Sequence, residues 1–312
     1  MKPPHAIAAE LRRALGADIL EAAGLTSGSP LRPIFSPLVW PPAHFFGRLA
    51  AEFDHNVAES GLIEAIRRVL PRFVDSVSAR GTENLPTTGP LILAANHPGA
   101  SDGLVIASCL PRNDLKVVVT DRPFFRHLYA ASPHLIYTPR DTVGRMGVVR
   151  EAVRHLRDGG SLLIFAHGNV EPDPAVVPGA EEALAGWSPS VPLLLRRVPS
   201  ANLVVTIVSG VLAPSVLRHP LTRLQENWRG RQLIAEIVQV SQQVLLKRRF
   251  QLTPVVRFDA PLKAGDVGPA GDALSTILTR AKELLADVSY GIENIRLPQG
   301  DQETSAAESR IG

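Results

Sequence analysis

Apolar positions recur along the chain in two rhythms. Between residues 59 and 74, Leu62, Ile63, Ile66, Val69, Leu70 and Phe73 fall three and four apart, the spacing of a helix with one buried face. The same period predicts helices near 5–23, 104–110, 123–131, 143–156, 179–184, 188–198, 226–249 and 272–288. Short apolar runs bounded by turn formers predict strands at 76–80, 91–95, 115–120, 135–137, 161–166, 202–209 and 252–258. Strands alternating with helices imply an α/β fold with a central mixed, largely parallel β-sheet flanked by helices. In such sheets ligands sit beyond the carboxyl ends of the strands. Attention therefore falls on residues 97–102, 120–125 with 137–145, and 166–171.

Residues 26–42 break the pattern, being rich in Pro, Ser and Gly, and read as a loop. Within and just after them lie Ile34, Phe35, Leu38, Val39, Trp40, Phe45 and Phe46. Packing on the core is the plainer expectation for these side chains, and an interfacial anchor for lipid is the sharper one. The chain is thus expected to divide into an N-terminal helical and Pro-rich segment (1–75) with a membrane-facing option, an α/β domain (76–293), and a polar, disordered tail (294–312).

Composition narrows the classes. Of 312 residues, 45% are hydrophobic and 20% charged, enough for an ordinary core. The net charge of +3 suits an anionic membrane surface and does not call for nucleic acid. The basic residues are scattered and form no DNA- or RNA-binding motif. Cys109 is the sole cysteine, so there is no disulfide framework. Neither a secretory leader nor a run of eighteen apolar residues is evident. A cytoplasmic protein is expected, with peripheral contact at the inner face of the cell membrane as the sharper option. A Gly-x-Ser-x-Gly elbow and a Gly-rich phosphate loop are both missing from the sequence.

The chemistry concentrates in Leu91-Ile-Leu-Ala-Ala-Asn-His-Pro-Gly-Ala-Ser-Asp-Gly103. An apolar strand ends at Asn96-His97, Pro98-Gly99 forces a turn, and Ser101 or Asp102 caps the next helix. The turn can fold the Asp102 carboxylate onto the His97 imidazole, fixing its tautomer and leaving Nε2 as a base. With no Ser or Cys nucleophile nearby, the hydroxyl to be activated belongs to a substrate. A second reading makes His97, Asp102, His167 and Glu171 the mixed ligands of a metal-dependent hydrolase.

Asn-His-x-x-x-x-Asp resembles the first motif of the glycerolipid acyltransferases, the family of 1-acylglycerol-3-phosphate acyltransferase. Tyr137-Thr-Pro-Arg140 stands where that family has its second motif, whose arginine binds the acceptor's phosphate. Arg140 can clamp an anion bidentately, and Arg145, one turn on, can assist. Phe165-Ala-His-Gly-Asn-Val-Glu-Pro172 stands in the place of the third motif, usually Phe-Pro-Glu-Gly-Thr-Arg-Ser. Phe165 and Gly168 agree, whereas His167, Asn169 and Val170 replace the family's Glu, Thr and Arg, and Glu171 offers a shifted carboxylate. Val204–Val208 is a loose counterpart of the fourth.

The resemblance spans about residues 76–210. It implies an acyltransferase that needs no metal or cofactor, takes acyl-CoA or acyl-carrier protein as co-substrate, and acylates a hydroxyl of a glycerolipid-type or related lipid. His97 and Asp102 would be catalytic. Asn96, Gly99, Ser101, Arg140, Arg145, His167, Gly168, Asn169 and Glu171 would face substrate. The altered third motif points away from the usual phosphorylated acceptor. A homologue that binds lipid without catalysis is the remaining alternative.

Overall fold

The computed structural model describes residues 4–22, 24–139, 145–268 and 272–295. In chain order, α1 (Pro4–Ala22), α2 (Arg32–Ser60) and α3 (Leu62–Val69) lead into β1 (Ser78–Arg80) and β2 (Leu91–Ala95). There follow α4 (Asp102–Ser108), β3 (Leu115–Thr120), α5 (Pro123–Arg126), β4 (Leu135–Thr138), α6 (Arg145–Arg157) and β5 (Ser161–Phe165). The chain closes with α7 (Ala180–Leu184), α8 (Ser190–Arg197), β6 (Asn202–Ser209), α9 (Pro214–Leu217), α10 (Trp228–Leu246), β7 (Val255–Phe258) and α11 (Ala273–Ile295). The strands form one seven-stranded sheet in the order β1-β7-β6-β2-β5-β3-β4. Every pairing is parallel except β6 with β7. The mixed, largely parallel α/β sheet read from the sequence is therefore the fold.

Burial on both faces explains why the strands read as unbroken apolar runs. Along β2, Leu91, Leu93 and Ala95 join one core with α2, α3, α4 and α10, while Ile92 and Ala94 join the other with α6, α8 and α11. After β2 the chain leaves onto the first face as α4, and after β5 it leaves onto the second as α7 and α8. Adjacent strands whose chains depart to opposite faces open a crevice at their carboxyl ends, the usual ligand position in open α/β sheets. His97 follows β2 and Glu171 follows β5, so both lie at that crevice.

The loop expected at 26–42 is a correction. From Arg32 onward this stretch is helical, forming the start of the 29-residue α2 despite Pro37, Pro41 and Pro42 inside it. A proline removes the bond to the carbonyl four residues back. Pro33, Pro37 and Pro41 are spaced by four, so each missing bond falls at the preceding proline's carbonyl, along one side of the helix. Pro33 and Pro37 are exposed, leaving water to solvate those carbonyls. The other side packs against α1 so closely that a Cβ on Gly47 would stand 3.0 Å from Ala8 O and Arg12 N.

Core packing, the plainer expectation for the apolar cluster, also fails for most of it. Ile34, Phe35, Leu38, Trp40 and Phe45 are exposed, Leu38 by 71%. Among the described residues no helix is long and apolar enough to cross a membrane. The expected single helix over 59–74 is split at Gly61, whose φ of 82° ends α2. α11 continues to Ile295, two residues into the expected tail, and 296–312 lie outside the described residues.

Candidate active site

The Pro98–Ser101 turn brings the imidazole and the carboxylate together. His97 Nδ1 lies 2.7 Å from Asp102 Oδ2. Asp102 is almost fully buried at the first position of α4 and also accepts N–H bonds from Gly99 (3.0 Å) and Gly103 (2.5 Å). These bonds fix the carboxylate, and the carboxylate in turn fixes the ring. Phe165 at the end of β5 stacks on the imidazole, with ring centroids 4.2 Å apart. Nε2 meets no protein partner among the described residues, and the side chain is 28% exposed. Burial presses His97 towards its neutral form. The Asp102 carboxylate, with Glu236 and Glu171 behind it, outweighs burial and holds the imidazole above its ordinary pKa.

Glu171 reaches the site from the loop after β5 but turns into the protein. Its Oε2 accepts the His97 backbone N–H at 2.9 Å, and its Oε1 accepts Trp187 Nε1–H at 2.9 Å. The return bond from Glu171 N–H to His97 O, at 2.8 Å, completes a clasp between the β2 and β5 loops. Burial pushes the Glu171 carboxyl up to about 7. Asp173, two residues on, is wholly buried and accepts N–H bonds from Ala175, Gly210 and Leu212, tying the same loop to the end of β6.

Other residues expected to face substrate divide into four groups. Gly99 and Ser101 line an apolar cavity of about 190 Å³ that starts at the catalytic turn and runs between α2, α4, α5 and α10, walled by Phe46, Phe53, Phe73 and Phe124. Asn96 is engaged within the sheet, its amide exchanging bonds with Val208 N–H and C=O at 2.8 and 2.9 Å. Gly168 and Asn169 are exposed, and the half-buried His167 ring packs on Gly186, with no partner at Nδ1 among the described residues. Burial, then the Arg229 charge, lowers the His167 pKa. Arg140 lies outside the described residues, and of Arg145 only its place at the start of α6 is described.

The metal-ligand reading finds no support in this geometry. Asp102 occupies His97 Nδ1, and both Glu171 oxygens accept protein N–H groups. Among the described residues no three His, Cys, Asp or Glu side chains gather as a ligand set.

The sequence reading missed the contribution of α10. Gln232, Glu236, Gln239 and Gln243 recur at helical spacing, a stripe that normally marks a solvated face. Here Gln232, Gln239 and Gln243 are buried, with Glu236 half-buried among them. Gln232 Nε2–H donates to Pro98 O (2.7 Å) and Glu171 O (2.9 Å), joining the two loops that carry the site. The one signal available was the adjacent apolar set, Leu233, Ile237 and Val244, which with Glu236 lines a groove against α1.

Residues 76–185 match the family model described as Acyltransferase. Among solved structures, the chain is similar to the crystal structure of the 1-acyl-sn-glycerophosphate (LPA) acyltransferase PlsC from Thermotoga maritima. The two are 13% identical, the likeness covers 77% of this chain and 82% of that one, and the TM-score is 0.46. Among curated proteins, none matches. The family match encloses β1 to β5, the His97–Asp102 pair and the loop that carries Glu171.

Proposed function

We propose that this protein transfers a fatty acyl group from an acyl thioester, acyl-CoA or acyl-carrier protein, to a hydroxyl of a glycerolipid-type or related lipid. One observation carries the reading: an imidazole oriented by a carboxylate at 2.7 Å, with Nε2 free, stands at the turn where an apolar cavity begins. His97 Nε2 takes the acceptor's hydroxyl proton as the oxygen attacks the thioester carbonyl. Backbone N–H groups of the Pro98–Ser101 turn face the developing oxyanion. The C–S bond then breaks, and His97 returns the proton to the leaving thiolate. The cavity takes the acyl chain.

Charge at the site bears on the acceptor. Asp102 and Glu171 lie beside His97, and the family's third-motif Arg is Val170. An acceptor whose head is neutral or cationic at this point suits that field better than a phosphate does. The exposed apolar side of α2 supplies peripheral contact with the membrane from which such a lipid comes.

The test is incubation with labelled palmitoyl-CoA and a panel of lysophosphatidate, lysophospholipids, glycerol and lyso-aminolipids, with products read by mass. A new ester is expected, and His97→Ala should lower its formation by about two to four orders of magnitude with the fold intact. Lipid binding without thioester consumption would move the protein to the non-catalytic reading. Undiminished turnover in His97→Ala would discard the mechanism.

A further inference from the structure

Of the four polar residues that α10 turns inward, three close backbone carbonyls. Gln232 bonds Pro98 O and Glu171 O, Gln239 bonds Val211 O, and Gln243 bonds Phe73 O, all at 2.7–2.9 Å. Glu236 bonds no backbone group among the described residues. It lines the apolar cavity beside Gly99–Ser101 and also a second apolar cavity of about 230 Å³ between α1, α2 and α10. The two cavities share Phe46, Ala100, Glu236 and Val240, so the carboxyl stands at their junction. Its Oε1 lies 3.6 Å from where a Gly99 Cβ would be, against the very turn that carries His97. A carboxyl with no polar contact shorter than 3.4 Å among the described residues, in a largely apolar throat beside the reacting centre, is placed to meet a polar atom of substrate.

We propose that Glu236 is a catalytic residue of the acyl-transfer centre, donating a hydrogen bond from its carboxyl to the thioester carbonyl oxygen and to the oxyanion that forms from it. The inference rests on the acyl-transfer reading above. The thioester carbonyl has to sit at the cavity mouth if its chain lies within the cavity and His97 is to serve the attacking hydroxyl. Glu236 and the Gly99–Ser101 backbone then flank the carbonyl oxygen. No proton changes hands at Glu236: the acceptor's proton travels to His97 and on to the thiolate, while the carboxyl keeps its own.

To donate, the carboxyl must be neutral, and its surroundings make it so. Burial first, and then the Asp102 charge, push Glu236 up to about 8. Asp173 acts the same way, while the charge of His97 and the Gln232 hydrogen bond oppose it. Along the α1 and α2 walls of the second cavity the lining is apolar: Leu15, Ile19, Pro42 and Phe46. The electropositive Gln232 amide nitrogen, its two hydrogens engaged by Pro98 O and Glu171 O, stands 3.4 Å from Glu236 Oε1 and favours the proton on Oε2. A protonated carboxylic acid used as an oxyanion donor in an apolar site has precedent in enzyme chemistry.

Glu236→Gln and Glu236→Ala, assayed for thiol release from palmitoyl-CoA with the best acceptor of the panel, test the proposal. The Gln232 amide nitrogen beside Oε1 should favour the new amide's oxygen there and leave its NH₂ facing the cavity. Glu236→Gln should therefore keep kcat within about tenfold, and Glu236→Ala should lose about 10²–10³-fold in kcat, the cost of one oxyanion donor. The wild type should lose kcat as pH rises through about 8, and Glu236→Gln should lack that limb. The pH profile also decides the matter should Glu236→Ala fail to fold. Wild-type activity with an unchanged alkaline limb in Glu236→Gln, or full kcat in Glu236→Ala, overturns this role and leaves the His97 mechanism standing. A wild type without transferase activity removes both.

Discussion

Glu171 shows how one side chain can sit at a site without serving substrate. Each of its oxygens accepts an N–H, one from the His97 backbone and one from Trp187. Replacing it by Gln would turn an NH₂ towards one of these donors and leave a buried group unpaired, a loss of about 1–3 kcal/mol. Glu171→Gln should accordingly lower the urea midpoint and loosen the His97 backbone. Unchanged stability would show that the clasp contributes nothing. At this scale the sequence disclosed what is local. His97 and Asp102 are five residues apart across a turn that Pro98 and Gly99 dictate, so their meeting at 2.7 Å was legible. Whether Glu171 faced substrate or backbone depended on Trp187, and whether Asn96 faced a ligand depended on Val208. Those partners are brought in by other strands and helices, and no local pattern announces them.

Elements whose period matched a buried face were legible, and the two that invert the usual rule were not. α10 turns its polar stripe inward because the carbonyls of Pro98, Glu171, Val211 and Phe73 need donors there. α2 keeps its helix although Pro33, Pro37 and Pro41 fall along one side of it, and another side packs on α1. Its first half then presents Ile34, Phe35, Leu38 and Trp40 to the outside. These residues do no work in the core, so changing them should leave stability intact. Burying a Leu or Phe side chain is worth about 1.5–3 kcal/mol, which is about tenfold or more in partitioning per side chain. Phe35→Asp and Leu38→Asp should each cut co-sedimentation with mixed phosphatidylcholine–phosphatidylglycerol vesicles by at least that factor at unchanged Tm. Vesicle binding equal to the wild type would remove α2 as the lipid-facing element.

The whole molecule gathers Asp102 from α4, Glu171 from the loop after β5 and Glu236 from α10 around one imidazole, with Asp173 close behind, and its stability should depend on pH for that reason. Burial raises the carboxyls of Glu171 and Glu236 from an ordinary 4.5 to about 7 and about 8, and raises those of Asp54 and Asp173 as well. A carboxyl with a raised folded pKa holds its proton after the unfolded chain has released one, so stability falls as pH climbs from the unfolded value to the folded one. His97 acts in the same direction: its folded pKa is raised, and its contribution, complete below 6.5, is lost as pH rises through the folded value. Asp114 and Asp121 have lowered values, and their contribution is lost only below about 3.8, outside this window. His167 alone opposes them, since its lowered pKa adds stability as pH rises through 6.5; between about pH 5 and pH 8 the raised groups outweigh it, and the net loss should be on the order of several kcal/mol. Urea unfolding across that range should show a falling midpoint, and Glu236→Gln, which cannot ionise, should fall less steeply. A midpoint that stays level or rises from pH 5 to pH 8 would mean that these carboxyls are not buried together, and the junction of the two cavities would lose the neutral acid assigned to it.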